Sequence, residues 1–155
     1  MVMTIKRRAV FTRALTASVA ALFAGRTASA ATAVSASAVK QKVVYHLADT
    51  EKVMFVLGNI RNHIDGMGGP QAVDIVLVVH GPALTLFQKR KVNPKLTAQV
   101  ERISGEGVQM AACGNTMTAQ RVELADLLPG FVRADEGGVV RIARLQTEGY
   151  VYIRP

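Results

Sequence analysis

The sequence predicts an α/β domain in which five strands alternate with four helices, building a mainly parallel sheet with helices on both faces. Three observations carry this prediction. Five short β-branched or apolar runs are spread over residues 43–153. Each gap between them holds a helix-spaced segment rather than a hairpin turn, and such alternation implies parallel strands joined by right-handed crossovers. The second run, Ala72–Val79 (AVDIVLVV), is nearly continuous in apolar residues, the pattern of a strand covered on both faces.

Taken in order, Val43–Leu47 (VVYHL) is the first strand. Asp49 and Thr50 follow as capping residues, and Val53, Leu57, Ile60 and Ile64 recur at helical spacing. Gly66, Gly68, Gly69 and Pro70 end that helix. Ala72–Val79 is the second strand, stopped by Gly81-Pro82. Ala83–Lys91 reads either as a short helix or as an irregular loop. Asn93 caps and Pro94 opens the second helix, whose inner face carries Leu96, Val100 and Ile103. Val108–Ala112 is the third strand and Thr118–Leu128 the third helix. Pro129-Gly130 breaks the chain before a fourth strand at Phe131–Ala134. Gly137-Gly138 opens the last helix, with Val139, Ile142, Ala143 and Leu145, and Tyr150–Ile153 is the fifth strand.

Charge divides the 155-residue chain into two parts. Residues 1–30 hold five bases (Lys6, Arg7, Arg8, Arg13, Arg26) and no acid, whereas residues 31–155 hold 14 bases and 11 acids, a net charge of only +3. A basic start, an apolar stretch over Ala9–Gly25 and a small-residue site at Ala28-Ser29-Ala30 form a secretory leader over residues 1–30, extending to about 38 if cleavage falls later. Arg7-Arg8 followed by Ala9, Val10 and Phe11 resembles a twin-arginine export signal. The expected location is therefore the periplasm, with the domain over residues 40–155 and no stable membrane insertion once the leader is removed. The only basic cluster in that domain, Lys89-Arg90-Lys91 with Lys95, lacks interleaved aromatics and reads as a solvated loop, so no nucleic-acid partner is expected.

Ligands of an open α/β sheet bind beyond the carboxyl ends of its strands. Cys113, the only cysteine, ends the third strand and precedes Gly114, Asn115 and Thr116. Backbone N–H groups in such a turn favour a thiolate, the reactive form of cysteine; a buried cysteine can equally pack as a small hydrophobe. His80 ends the second strand at the same sheet edge, followed by Gly81, either as a base or anion donor beside Cys113 or as a ring bonded to nearby backbone. Asn59 and Asn62 lie one turn apart on the first helix, bordering a pocket or facing solvent. His46 and His63 are weaker candidates. A single cysteine excludes internal disulfides and cysteine-based metal clusters, and neither a metal nor a cofactor is expected.

The stretch VVYHLADTEKVMFVLGNIRNHID resembles the first strand and helix of the DsrE/DsrF-like sulfur-relay family. DIVLVVHGPAL, MAACGNTM, LLPGFV and the ending GGVVRIARLQTEGYVYIRP continue the likeness in order, covering Val43–Pro155. It is closest to exported single-domain members. The resemblance implies a three-layer α/β/α domain with a five-stranded sheet, assembled as a homo-oligomer such as a trimer or hexamer. It implies that a cysteine after the third strand carries sulfur as a persulfide between partner proteins; Cys113 stands at that position, and His80-Gly81 matches a recurrent His-Gly after strand two. An exported chain departs from the cytoplasmic relay proteins, which work with reducing partners. The functional expectation is a periplasmic protein carrying sulfane sulfur on Cys113, a carrier rather than a turnover enzyme, with a sulfur donor or acceptor protein as partner. The alternatives are a non-catalytic oligomeric binding module lined by Asn59, His80 and Asn115, and a cysteine-dependent redox sensor.

Overall fold

A computed structural model describes residues 40–91 and 93–155. The leader assigned to residues 1–30, with its later boundary near 38, lies outside them. The strands are β1 (Gln41–Leu47), β2 (Val73–Val79), β3 (Gln109–Cys113), β4 (Phe131–Ala134) and β5 (Val151–Ile153). The helices are α1 (Val53–Gly66), α2 (Pro94–Gly105), α3 (Gly114–Gln120) and α4 (Gly138–Thr147). The sheet runs in the order β4-β3-β2-β1-β5 with every pair parallel.

That order dictates the layers. The chain steps in one direction from β1 to β4, and right-handed crossovers then place α1, α2 and α3 on one face. Only the return from β4 to β5 runs the other way, which puts α4 alone on the opposite face. Strand alternation sorts the side chains accordingly. Val43, Tyr45, Leu47, Ile75, Leu77, Val79, Met110 and Ala112 join the larger core with α1 and α2. Val44, Val76, Val78, Ala111 and Ala134 join Ile142 and Leu145 of α4 in the smaller one.

Five strands span roughly 19 Å, against about 10 Å for one helix, so α4 cannot cover its face. Open grooves flank it. One, of about 270 Å³, is lined by His46, Val139, Ile142, Ala143, Gln146 and Tyr152. The other, of about 180 Å³, is lined by residues including Ala111, Val132, Arg133 and Arg141. Val139 stays 70% exposed on this face.

Three local readings change. Asn93 does cap α2, its Oδ1 accepting from the Leu96 N–H at 2.9 Å. Asp49 takes the N-cap position of a 3-10 turn over Thr50–Lys52 but makes no side-chain cap bond; its carboxylate pairs with Arg154 at 3.3 Å. The third helix is not Thr118–Leu128 but Gly114–Gln120, closed by Arg121 at a left-handed φ of 54° and followed by a 3-10 turn at Leu124–Asp126. Gly-Asn-Thr reads as a turn from composition, yet Cys113 itself is the N-cap. Ala83–Lys91, ambiguous in sequence, begins inside a 3-10 helix over Gly81–Phe87. Among the described residues, no helix is long and apolar enough to cross a membrane.

Because Leu77 is fully buried and Phe55 is 55% exposed, the same kind of truncation should separate them. Leu77→Ala is expected to cost about 2–5 kcal/mol of stability and Phe55→Ala within about 0.5 kcal/mol, measured by urea denaturation.

Candidate functional site

Register brings the candidates to one level. Leu47 pairs with Val79, Val79 with Ala112, and Cys113 with Ala134, so His80 and Cys113 sit side by side at the carboxyl edge. Alternation also gives them one face. His46 shares the parity of Val44, His80 that of Val76 and Val78, and Cys113 that of Ala111, so all three face α4. β3 hands the chain to α3 on the far face and β4 hands it to α4 on this one, so the change of direction falls beside Cys113. This is the switch point at which α/β sheets bind ligands.

Two helix starts meet there. Cys113 is the N-cap of α3, and Gly138 is the first residue of α4. A Cβ on Gly138 would stand 3.2 Å from the Cys113 Cβ and 3.3 Å from the His80 Cβ, closer than ordinary packing allows. A larger residue would need Cys113 or His80 to shift by a few tenths of an ångström, so glycine brings the α4 backbone nearest. Gly114 plays the matching part on the other side: a Cβ there would meet the Ala134 carbonyl at 2.9 Å, so α3 would be forced away from β4.

As a neutral thiol, Cys113 closes no side-chain cap bond of its own. Its ionised form is better provided for. Burial alone would push the thiol pKa up, but the nearby Thr116 hydroxyl and the backbone N–H groups of Gly138, Thr116 and Asn115 favour the anion and hold that pKa below the ordinary value. Thr116 is set for this: its oxygen accepts from the Gly81 N–H at 3.0 Å, leaving its single proton for the sulfur. The Gly81 carbonyl in turn accepts from Gln120 Nε2 at 2.9 Å, one turn further along α3, which fixes the loop after β2. The positive ends of both helices add to the preference for negative charge. The residue is nevertheless only 6% exposed.

His80 lies beside Cys113 without a hydrogen bond to it among the described residues. Its Nε2 meets His46 Nε2, and His46 Nδ1 lies 2.6 Å from the Tyr152 hydroxyl. Burial first, then His80 and Arg154, push the His46 pKa down to about 4 against the opposing Asp49. Burial and Arg154 lower His80 likewise. Both imidazoles are neutral at pH 7.

Of the residues singled out in sequence, Cys113, His80, Gly81, Gly114, Asn115 and Thr116 converge. Asn59 and Asn62 do not: they lie within α1, on the far face of the sheet, and among the described residues no hydrogen bond joins either to this cluster. His63 bonds Tyr45 and Gln41 instead. Gly138, His46 and Tyr152 complete the site. The shared parity of His46, His80 and Cys113 was visible in sequence; the approach of Gly138 was not, because it depends on which face receives α4. No group of three or more His, Cys, Asp or Glu side chains suited to a metal occurs among the described residues.

Alkylation of Cys113 against pH should give a midpoint below the unperturbed value of about 8.5. Thr116→Val removes one donor and leaves the burial, so the midpoint should rise. Gly138→Ala should raise it too by displacing a second donor, while Asn59→Ala should not move it.

The DsrE/DsrF-like family matches residues 19–155 of the chain. A protein of unknown function from Methanobacterium thermoautotrophicum is similar in structure, with a TM-score of 0.65 and 30% sequence identity over 75% of this chain and 100% of that one. The ychN protein from E. coli shares the fold, with a TM-score of 0.56 and 14% identity over 74% of this chain and 100% of its own. No curated protein matches. The family match, spanning the whole sheet and the Cys113 turn, establishes that this chain belongs to the DsrE/DsrF-like family.

Proposed function

We propose that the chain accepts sulfane sulfur on Cys113 and passes it on as a persulfide, acting as a carrier rather than turning over a substrate. Family membership supports a sulfur-relay type of protein at the level of the family. The observation that carries the finer reading is the setting of one sulfur: Cys113 is the N-cap of α3, packs against Gly138 at the start of α4, and has beside it a Thr116 hydroxyl whose oxygen is already taken by the Gly81 N–H, surroundings that hold its pKa down. Such a cradle stabilises an anion, and the thiolate is the form that attacks a sulfur–sulfur bond. Its partners are then a sulfur donor and a sulfur acceptor. A second reading, a binding module without sulfur chemistry, is favoured by the 6% exposure of Cys113.

Intact-mass spectrometry of the mature protein after incubation with inorganic polysulfide separates the two. Sulfur carriage predicts a gain of one sulfur atom, absent in Cys113→Ser. An unchanged mass, where a control carrier gains sulfur, leaves the binding module standing.

Self-association through the α4 face belongs to the same proposal. Parallel sheets are normally covered on both faces, and here Val139, Val140 and Tyr152 remain exposed around one helix. A trimer or hexamer would cover Val139, Val140 and Tyr152. Light scattering should give a mass several times that of the monomer, reduced by Val139→Lys; a monomeric wild type would overturn it. The basic, small-residue leader supports export to the periplasm by the twin-arginine route.

A further inference from the structure

The contact between His46 and His80 defines where protons sit. Their ring centroids are 4.6 Å apart with planes 24° from parallel, while their Nε2 atoms are in hydrogen-bond contact. Face-to-face stacked rings bring no atoms that close, so the rings meet edge to edge through nitrogen. Two neutral imidazoles can do this only if one Nε2 carries a proton and the other accepts it. The next link is the Tyr152 hydroxyl on His46 Nδ1. If Tyr152 donates, His46 holds its proton on Nε2 and donates to His80 Nε2, which leaves the His80 proton on Nδ1. Moving each proton one place reverses the chain. Tyr152 gives its proton to His46 Nδ1, His46 gives its Nε2 proton to His80, and His80 releases the one on Nδ1. Tyr152 then refills from water. Nothing along the chain ends up charged.

The two ends suit that use. Tyr152 is 39% exposed and lines the 270 Å³ groove beside α4. His80 directly follows β2, the neighbour of β3, with its Cβ packed against the same Gly138 that covers Cys113. The charged groups facing the pair, Asp49 and Arg154, bond to each other at 3.3 Å and largely cancel.

We propose that Tyr152, His46 and His80 form a proton relay that delivers a proton from the α4 groove to the sulfur leaving when Cys113 takes up sulfane sulfur. This rests on the carrier reading above. In the step it serves, the Cys113 thiolate attacks the outer sulfur of a donor persulfide, R–S–S–H. The Sγ–S bond forms, the donor's S–S bond breaks, and its electron pair leaves on R–S⁻. Sγ is formally oxidised as the donor sulfur is reduced, so no external electron carrier enters. R–S⁻ takes the His80 Nδ1 proton and departs as R–S–H. His80 donates directly; His46 and Tyr152 are positioning and recharging residues behind it.

The test is single-turnover transfer from glutathione persulfide to the mature protein, followed by mass spectrometry. Tyr152→Phe and His46→Asn should each slow uptake by about 10²-fold, the lower end for loss of general acid catalysis. The alkylation midpoint of Cys113 should stay unchanged, because none of its four donors belongs to the chain; a merely structural defect would move both readouts. Nitrogen NMR should show His46 and His80 titrating as a coupled pair, with the tautomer of His46 altered in Tyr152→Phe. Undiminished uptake in both variants, or independent titration of the two rings, overturns the relay and leaves the carrier reading intact. No uptake by the wild type overturns the carrier reading itself, and with it the use of the relay.

Discussion

The site depends on one reversal in the path of the chain. β3 feeds a helix on one face of the sheet and its neighbour β4 feeds a helix on the other, so the two connections diverge and leave a crevice between strand ends. Cys113 occupies that crevice. Burying a sulfur anion carries a desolvation cost that raises the thiol pKa. The Thr116 hydroxyl and the backbone N–H groups of Asn115, Thr116 and Gly138 oppose that cost, and the thiol pKa is held below its ordinary value. Neither helix supplies the set alone: Asn115 and Thr116 come from α3, Gly138 from α4.

The same reversal explains the imbalance of the two faces. Three helices on one side bury the large core around Leu57, Ile60, Leu77 and Ile103, which fixes the strands and hence the level of their carboxyl ends. The lone α4 on the other side packs Ile142 and Leu145 against a smaller apolar patch and leaves grooves along both flanks. The rigid face holds the geometry. The thinly covered face carries His46, His80 and Cys113, and offers the approach to them. Stability and access are thus assigned to opposite sides of one sheet, as is common when binding residues project from a well-packed scaffold.

Much of this was legible in the sequence because the signals are local. β-branched runs, the Asn93-Pro94 start of α2 and the glycines after α1 mark the elements, and alternation in Val44/His46, Val76/Val78/His80 and Ala111/Cys113 assigns the three site residues to one face. Two features were not legible. The start of α3 was hidden because Gly114, Asn115 and Thr116 have turn-like composition, and only the N-cap position of Cys113 reveals them as helix. The parts played by Gly138 and Tyr152 are long-range. They follow from α4 and β5 returning across the sheet to lie beside Cys113 and β1, and no periodicity within either segment reports that return.

The most direct measurement of the central claim is the ultraviolet absorbance of the thiolate, titrated against pH in the native protein and again in denaturant. Cys113 is the only cysteine, so the signal is its own. If the two helix starts and Thr116 hold the sulfur as an anion, the native midpoint lies below the denatured one, which should fall near the ordinary value of about 8.5. A native midpoint equal to or above the denatured one would mean that burial outweighs the donors, and that the crevice at the switch point does not hold a reactive thiolate.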